Sequence, residues 1–256
     1  GVDDKIKLAI GNAQNGGYGT LAAIVKRGAD SVTQNIVIVE NSTASAGVEW
    51  SIRNTGVLAL WTGSVTRRTT TLTFTVADGW CCLVAKKDTG TATARFGKYV
   101  YSTDTWTWEN AGDGTQANWS TSLTTPDVVI GAYDGGAPGS FFTGDIAAVG
   151  IWGGNVLTDA EAQSLPHSLD AWFQEQPTGL WLLDQAATTQ KVNDQSGGGA
   201  NESALTGTTV GTSSVPVFSY GAPIVLTSRS GAGGGGGSPA PTVQAPFTKM
   251  LMGVGL

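Results

Sequence analysis

Residues 142–161 read Phe142-Thr-Gly-Asp-Ile-Ala-Ala-Val-Gly-Ile-Trp-Gly-Gly-Asn-Val-Leu-Thr-Asp-Ala-Glu161. The stretch divides in two. Asp145–Trp152 reads as a strand, and Ile146, Ala148, Gly150 and Trp152 are expected on one face, because successive strand residues point to opposite sides. Gly144 permits a tight turn into it. From Leu157 the signals become helical. Thr158 is placed as an N-cap, Glu161 three residues later completes a capping box, and Pro166 stops the segment. Leu157–Leu165 is therefore expected to be one short helix of about two turns.

Strand signals continue upstream of this stretch. Short runs occur at Ile6–Ile10, Thr20–Lys26, Asn35–Glu40, Thr69–Val76, Gly79–Lys87, Thr91–Tyr101 and Val128–Ala132. Gly47–Arg53 and Val57–Trp61 read as a hairpin across Asn54-Thr55-Gly56. In Thr69–Val76, residues Leu72, Phe74 and Val76 share a face by their even spacing. Asn35–Glu40 is too apolar for a one-faced strand and reads as central. Regular short strands with turn signals between them, and no βαβ alternation, predict an all-β sandwich. Downstream, Gly179–Asp184 is a further strand, Asn193–Gly199 a turn cluster, and short strands are expected near Ala204–Thr209 and Val215–Phe218. Residues 1–220 are thus expected to form one sandwich domain.

Composition agrees. The chain has 256 residues, 37 of them Gly, with 40% hydrophobic and only 13% charged residues, enough apolar material for a large core. Its net charge of −6 and the lack of a basic patch exclude a nucleic-acid partner. Lys26-Arg27, Arg67-Arg68 and Lys86-Lys87 read as solvated surface. Cys81 and Cys82 are adjacent and would form only a strained disulfide, so one is expected to pack in the core. No charged-then-apolar leader and no membrane-length apolar run occurs, which leads us to expect a chain made in the cytoplasm that does not enter membranes.

Beyond residue 221 the texture changes. Gly233–Gly237 and Ser238-Pro-Ala-Pro241 form a linker, flexible and then extended. Residues 221–256 are expected to be an extended C-terminal arm. At its end Phe247, Met250, Leu251, Met252 and Leu256 form an apolar tail that needs a surface to bury against.

The sequence offers candidates for three kinds of site. Glu40, Glu49, Glu109, Glu161, Glu175 and Glu202 are scattered, so no paired-carboxylate run supports glycoside hydrolysis. The only histidine, His167, supports no catalytic triad and reads as structural or exposed. Oxygen ligands for calcium could come from Asp134, Asp145 and Asn155, from Asp104, Glu109, Asn110 and Asp113, or from Asp194. None has a strong spacing and turn formation explains most, so no metal or cofactor is expected, with calcium left open. Trp106 and Trp108 fall on one face of a strand, with Trp119 close in sequence. They could stack on a sugar ring or pack in the core or at a subunit interface, and packing is the expectation.

Residues 142–161 resemble the closing segment of laminin-G/pentraxin-like, concanavalin A-like domains. There a Gly leads into an Ile-containing strand, an aromatic ends it, and a short helix begins with Leu-Ser/Thr-Asp-x-Glu. Tyr18–Lys26, Trp181–Asp184 and Asp194–Gly197 resemble other pieces of such domains, the last two in a different order. The resemblance implies a concanavalin A-like jelly-roll β-sandwich, a fold that hosts lectins, enzymes, adhesion modules and virion proteins. The Gly-rich, low-charge style and the C-terminal arm resemble structural proteins of tailed bacteriophages. That likeness implies a non-catalytic virion protein, a capsid decoration, minor capsid or minor tail protein. It would be located in the virion, homo-oligomeric, and docked through its arm on major capsid or tail proteins. The alternative is a carbohydrate-binding module that recognises cell-surface glycans.

Overall fold

The computed structural model describes residues 6–9, 18–41, 47–62, 66–88, 93–112, 126–132, 140–183, 191–192 and 203–204. Two six-stranded antiparallel sheets form a jelly-roll sandwich. The first runs in the order β1 (Ile6–Ala9), β10 (Pro126–Ile130), β3 (Gln34–Asn41), β4 (Gly47–Ile52), β5 (Val57–Thr62), β6 (Thr66–Thr73). The second runs β12 (Gly179–Leu182), β11 (Gly144–Gly153), β2 (Gly19–Arg27), β7 (Trp80–Lys87), β8 (Thr93–Val100), β9 (Thr105–Gly112). A small ribbon pairs β13 (Lys191–Val192) with β14 (Ser203–Ala204). The all-β sandwich with one short helix is thus as expected.

Alternation sets the layers. Leu21, Ala23 and Val25 of β2 point into the space between the sheets and meet Val37, Trp50 and Leu60 of the first sheet. Ala22 and Ile24 point the other way and pack, with Cys82, Val84 and Leu180, beneath a cover on the outer face of the second sheet. The cover is made of α1 (Asp159–Ser164) and a 3-10 turn at Asp170–Phe173. The capping box forms as read. The Glu161 amide donates to the Thr158 hydroxyl at 3.2 Å, and the Thr158 amide to the Glu161 carboxylate at 2.6 Å. Asn35–Glu40 lies within β3, an inner strand between β10 and β4. Phe141 packs on the Ile38–Val129 side of that sheet.

Three details depart from the sequence reading. Ile146 does not share a face with Ala148 and Trp152. A register shift between Ile146 and Ala148 inserts an extra residue, so Ile146 joins Val149 and Ile151 in the inter-sheet core while Ala148 and Trp152 face the cover. Val76 does not follow Leu72 and Phe74 inward. The strand ends at Thr73 and a capped 3-10 turn at Val76–Asp78 leaves Val76 42% exposed. The cationic pairs are not simply solvated, since Arg27, Lys86 and Lys87 are buried. Arg27 donates to the carbonyls of Phe74 (2.7 Å) and Val32 (3.1 Å) and pairs with Asp30. Long aliphatic stems let these residues cross the sheet and reach acceptors at its edge.

Cys81 and Cys82 are free and both buried, one on each side of the second sheet. Burial pushes the Cys81 thiol up to about 12. Gly144 is required where it stands. Its φ is +136°, and a β-carbon there would lie 2.0 Å from the Lys26 carbonyl. Among the described residues no helix is long and apolar enough to cross a membrane. The arm at 221–256, and with it Phe247, Met250, Leu251, Met252 and Leu256, lies outside the described residues, as does the expected strand at Val215–Phe218.

Candidate functional site

Trp106 and Trp108 stand on β9, the edge strand of the second sheet, and face the same side as the cover. Their cross-strand partners on β8 are Tyr99 and Gly97. The two indoles stack on each other, with centroids 5.0 Å apart and planes 11° off parallel. Both rings are half-buried. Trp108 reaches the backbone of β8 because position 97 lacks a side chain. A β-carbon at Gly97 would sit 2.7 Å from the indole edge. Neither indole N–H finds a hydrogen-bond partner among the described residues.

Charge gathers at the Trp108 end of the pair. The Lys86 ammonium lies 5.0 Å and the Arg95 guanidinium 5.1 Å from the ring centre, both within cation–π range. The two cations share one carboxylate. Asp159 pairs with Lys86 at 2.6 Å and with Arg95 at 2.6 Å. Lys86 also donates to the Leu157 carbonyl, and Arg95 to the side chain of Asn110. Burial alone would raise the Asp159 pKa, but the hydrogen bonds and charges of Lys86 and Arg95 outweigh it and hold this carboxylate below its usual range. Asp159 opens α1, so the same contact ties the cover to the sheet.

At the other end, Trp106 meets Tyr99 at 5.5 Å, and His167 and Tyr99 make a T-shaped contact at 5.0 Å. The Tyr99 hydroxyl donates to Asp104 at 2.6 Å. Burial, then that bond and charge, push the phenol up to about 12. His167, Tyr99, Trp106, Trp108 and the two cations therefore form one continuous ridge. Sequence reading found the two Trp and missed Tyr99, Arg95, Lys86 and Asp159. Tyr99, Gly97 and Arg95 sit at period two on β8, opposite Trp106, Trp108 and Asn110. That spacing was visible, but the register joining the strands was not. Trp119 lies outside the described residues.

The opposite outer face, on the first sheet, is more polar. Asn35 and Ser51 pair across β3 and β4, and Ile38, Glu49 and Trp61 form the next row on that side. Asn35 is 1% and Ser51 0% exposed, and the amide nitrogen and oxygen of Asn35 have no hydrogen-bond partner among the described residues. Burial raises the Glu49 pKa, and the nearby Arg53 charge and Ser51 hydroxyl only partly offset it.

Among the described residues the calcium candidates do not converge. Asp145 lies 3.9 Å from Lys26, and the Asn155 amide donates to Glu175. Glu109 bonds the backbone and hydroxyl of Thr71 at 2.7 and 2.8 Å, joining the edges of the two sheets. Asp113, Asp134 and Asp194 lie outside the described residues, among which no group of three His, Cys, Asp or Glu side chains could hold a metal.

No protein-family model and no curated protein matches the sequence. Solved structures do resemble the fold. The CBM40 of the Ruminococcus gnavus IT-sialidase, solved with α2,3-sialyllactose, superposes with a TM-score of 0.50 at 13% identity, over 64% of this chain and 93% of that one. A candidate carbohydrate-binding protein from Bacteroides ovatus superposes with a TM-score of 0.56 at 15% identity, over 79% of this chain and 56% of that one. At such identities the likeness is one of fold, a two-sheet antiparallel β-sandwich.

Proposed function

We propose that this chain is a non-catalytic glycan-binding module and that Trp106 and Trp108 form its aromatic contact. The observation that carries this reading is the stacked, half-exposed indole pair on an edge strand, flanked by ionic and amide side chains. Sugar rings offer apolar faces to aromatics and hydroxyls to polar groups, and this ridge supplies both. The carbohydrate-related structural neighbours support the reading. Trp119 is proposed as a third contact on the grounds of its place in the sequence. Arg95, 35% exposed at the Trp108 end, supplies a cation for an acidic sugar. The first probe is therefore α2,3-sialyllactose, followed by a broad glycan array. Trp106→Ala should abolish binding without unfolding the domain. An array with no signal at high protein concentration argues against the whole reading.

The virion reading draws no support from the described residues, because its docking tail lies outside them. It is tested by removing residues 231–256. If the truncated chain still joins a particle normally, docking through the arm is wrong.

A further inference from the structure

The turn between β4 and β5 borders an open hollow of about 320 Å³, lined by Arg53, Asn54, Thr55, Val57, Thr69 and Thr70. That volume falls within the range of small-molecule sites, about 300–1,000 Å³. The turn is fixed by its own backbone and by what lies beneath it. The Arg53 amide donates to the Val57 carbonyl and the Gly56 amide to the Arg53 carbonyl, both at 2.8 Å. The buried Arg27 guanidinium donates to the Arg53 carbonyl at 3.4 Å and to the Phe74 carbonyl at 2.7 Å. Gly56, with φ at +86°, fits closely over this pair, since a β-carbon there would lie 3.1 Å from the Phe74 carbonyl oxygen and 3.3 Å from the Arg27 guanidinium. The backbone is thus committed, while most side chains around the hollow are not. Among the described residues the half-buried Arg53 guanidinium makes no hydrogen bond and no ion pair, and the exposed side chains of Asn54, Thr55 and Thr69 make no hydrogen bond. Glu49 feels the Arg53 charge but forms no ion pair with it. Only the Thr70 hydroxyl is used, accepting from the Leu72 amide at 2.7 Å.

We infer that this hollow binds a singly charged, hydroxyl-bearing carboxylate such as a uronic acid, with Arg53 holding the carboxylate and Asn54, Thr55 and Thr69 meeting the hydroxyls. The planar guanidinium matches a carboxylate through two parallel N–H bonds. The amide of Asn54 and the two hydroxyls each donate and accept, as neighbouring ring hydroxyls require. Val57 adds an apolar contact for ring carbons. Single charge follows from the groups present. One cation lines the hollow and Glu49 lies within its field, so a dianion such as a phosphate monoester would keep a charge without a partner. The hollow belongs to the first sheet and the Trp106–Trp108 ridge to the second, so the inference does not rest on the ridge reading.

The test titrates the full chain with galacturonic acid, galactose and galactose 6-phosphate, followed by NMR shifts of the backbone amides of residues 53–57 and 69–70 and of the indole N–H groups. Galacturonic acid should shift those amides saturably, and the neutral and doubly charged sugars should bind there at least tenfold more weakly. Arg53→Gln should weaken galacturonic acid tenfold or more. Thr69→Val, a near-isosteric change at an exposed strand position, should weaken it severalfold and guards against a misfolded Gln variant. Trp106→Ala should leave the amide shifts unchanged. The inference is overturned if galacturonic acid does not move these amides saturably, or moves only the indole N–H groups. It is equally overturned if galactose or galactose 6-phosphate binds there as tightly, if Trp106→Ala removes the amide shifts, or if the Arg53 and Thr69 variants both bind normally. Failure of the ridge reading is seen separately, as absence of indole shifts with α2,3-sialyllactose.

Discussion

Two tryptophan pairs sit on the same side of the same sheet, and they differ in almost every respect. Trp152 and Trp172 are fully buried between the second sheet and its cover, 6.1 Å apart and tilted by 40°. Both indole N–H groups are answered, Trp152 by the Gln174 carbonyl and Trp172 by the Leu165 carbonyl, each at 2.9 Å. Trp106 and Trp108 are half-buried, nearly parallel and closer together, and neither N–H is answered among the described residues. Full burial is what marks a core indole here, since Trp50 and Trp181 are 0% exposed between the sheets although their N–H groups have no partner among the described residues. A stacked pair left half open contributes less to the fold, and it is the pair to which we assign recognition.

Substitutions should separate the pairs. Trp152→Ala is expected to cost about 3–5 kcal/mol, the range for truncating a buried Trp, and chemical denaturation would measure it. Trp106→Ala should cost less, about 1–2 kcal/mol, since only part of the ring leaves a packed environment. Equal losses from the two would break the comparison. Asp159→Asn removes the one anion that serves both Lys86 and Arg95. Asp159 is 43% exposed, so the cost should fall between that of surface and buried pairs, at about 1–2 kcal/mol. That variant should also loosen α1, which faster amide exchange in residues 159–164 would reveal. Thr158→Ala removes the helix cap alone and is expected to cost about 1 kcal/mol, read from the same denaturation curves.

Acid should act on the two outer faces with opposite sign. Asp159 has a folded pKa below its unfolded value. Its contribution is present above about pH 4 and is lost as pH falls through the folded pKa. Glu49 has a folded pKa above its unfolded value, so its contribution is present at low pH and is lost as pH rises through the folded pKa. Glu49→Gln should therefore raise the melting temperature at pH 7 and change it little below about pH 4. A variant that is less stable at pH 7 would contradict this sign.

The fold was largely legible in the sequence because period-two alternation, turn residues and the Thr158–Glu161 box are local signals. Faces were less legible. A single extra residue after Ile146 reverses which side a strand residue meets, and nothing in Asp-Ile-Ala-Ala-Val marks it. The buried cations were missed because an Arg-bearing or Lys-bearing strand end looks solvated until its stem is seen to cross the sheet. The Trp pair was legible as a shared strand face, but its stacking depends on Gly97, and its ionic flank on Lys86 and Asp159, which are 73 residues apart. The Asn35–Ser51 pair was invisible, since only cross-strand register brings those positions together.

The most direct test is calorimetric titration of the intact chain and of Trp106→Ala with α2,3-sialyllactose, with thermal melts confirming that both are folded. The account predicts saturable binding by the intact chain and at least a tenfold loss in the variant. No binding by the intact chain, or undiminished binding by the variant, would contradict the assignment of Trp106 and Trp108 to recognition of this glycan.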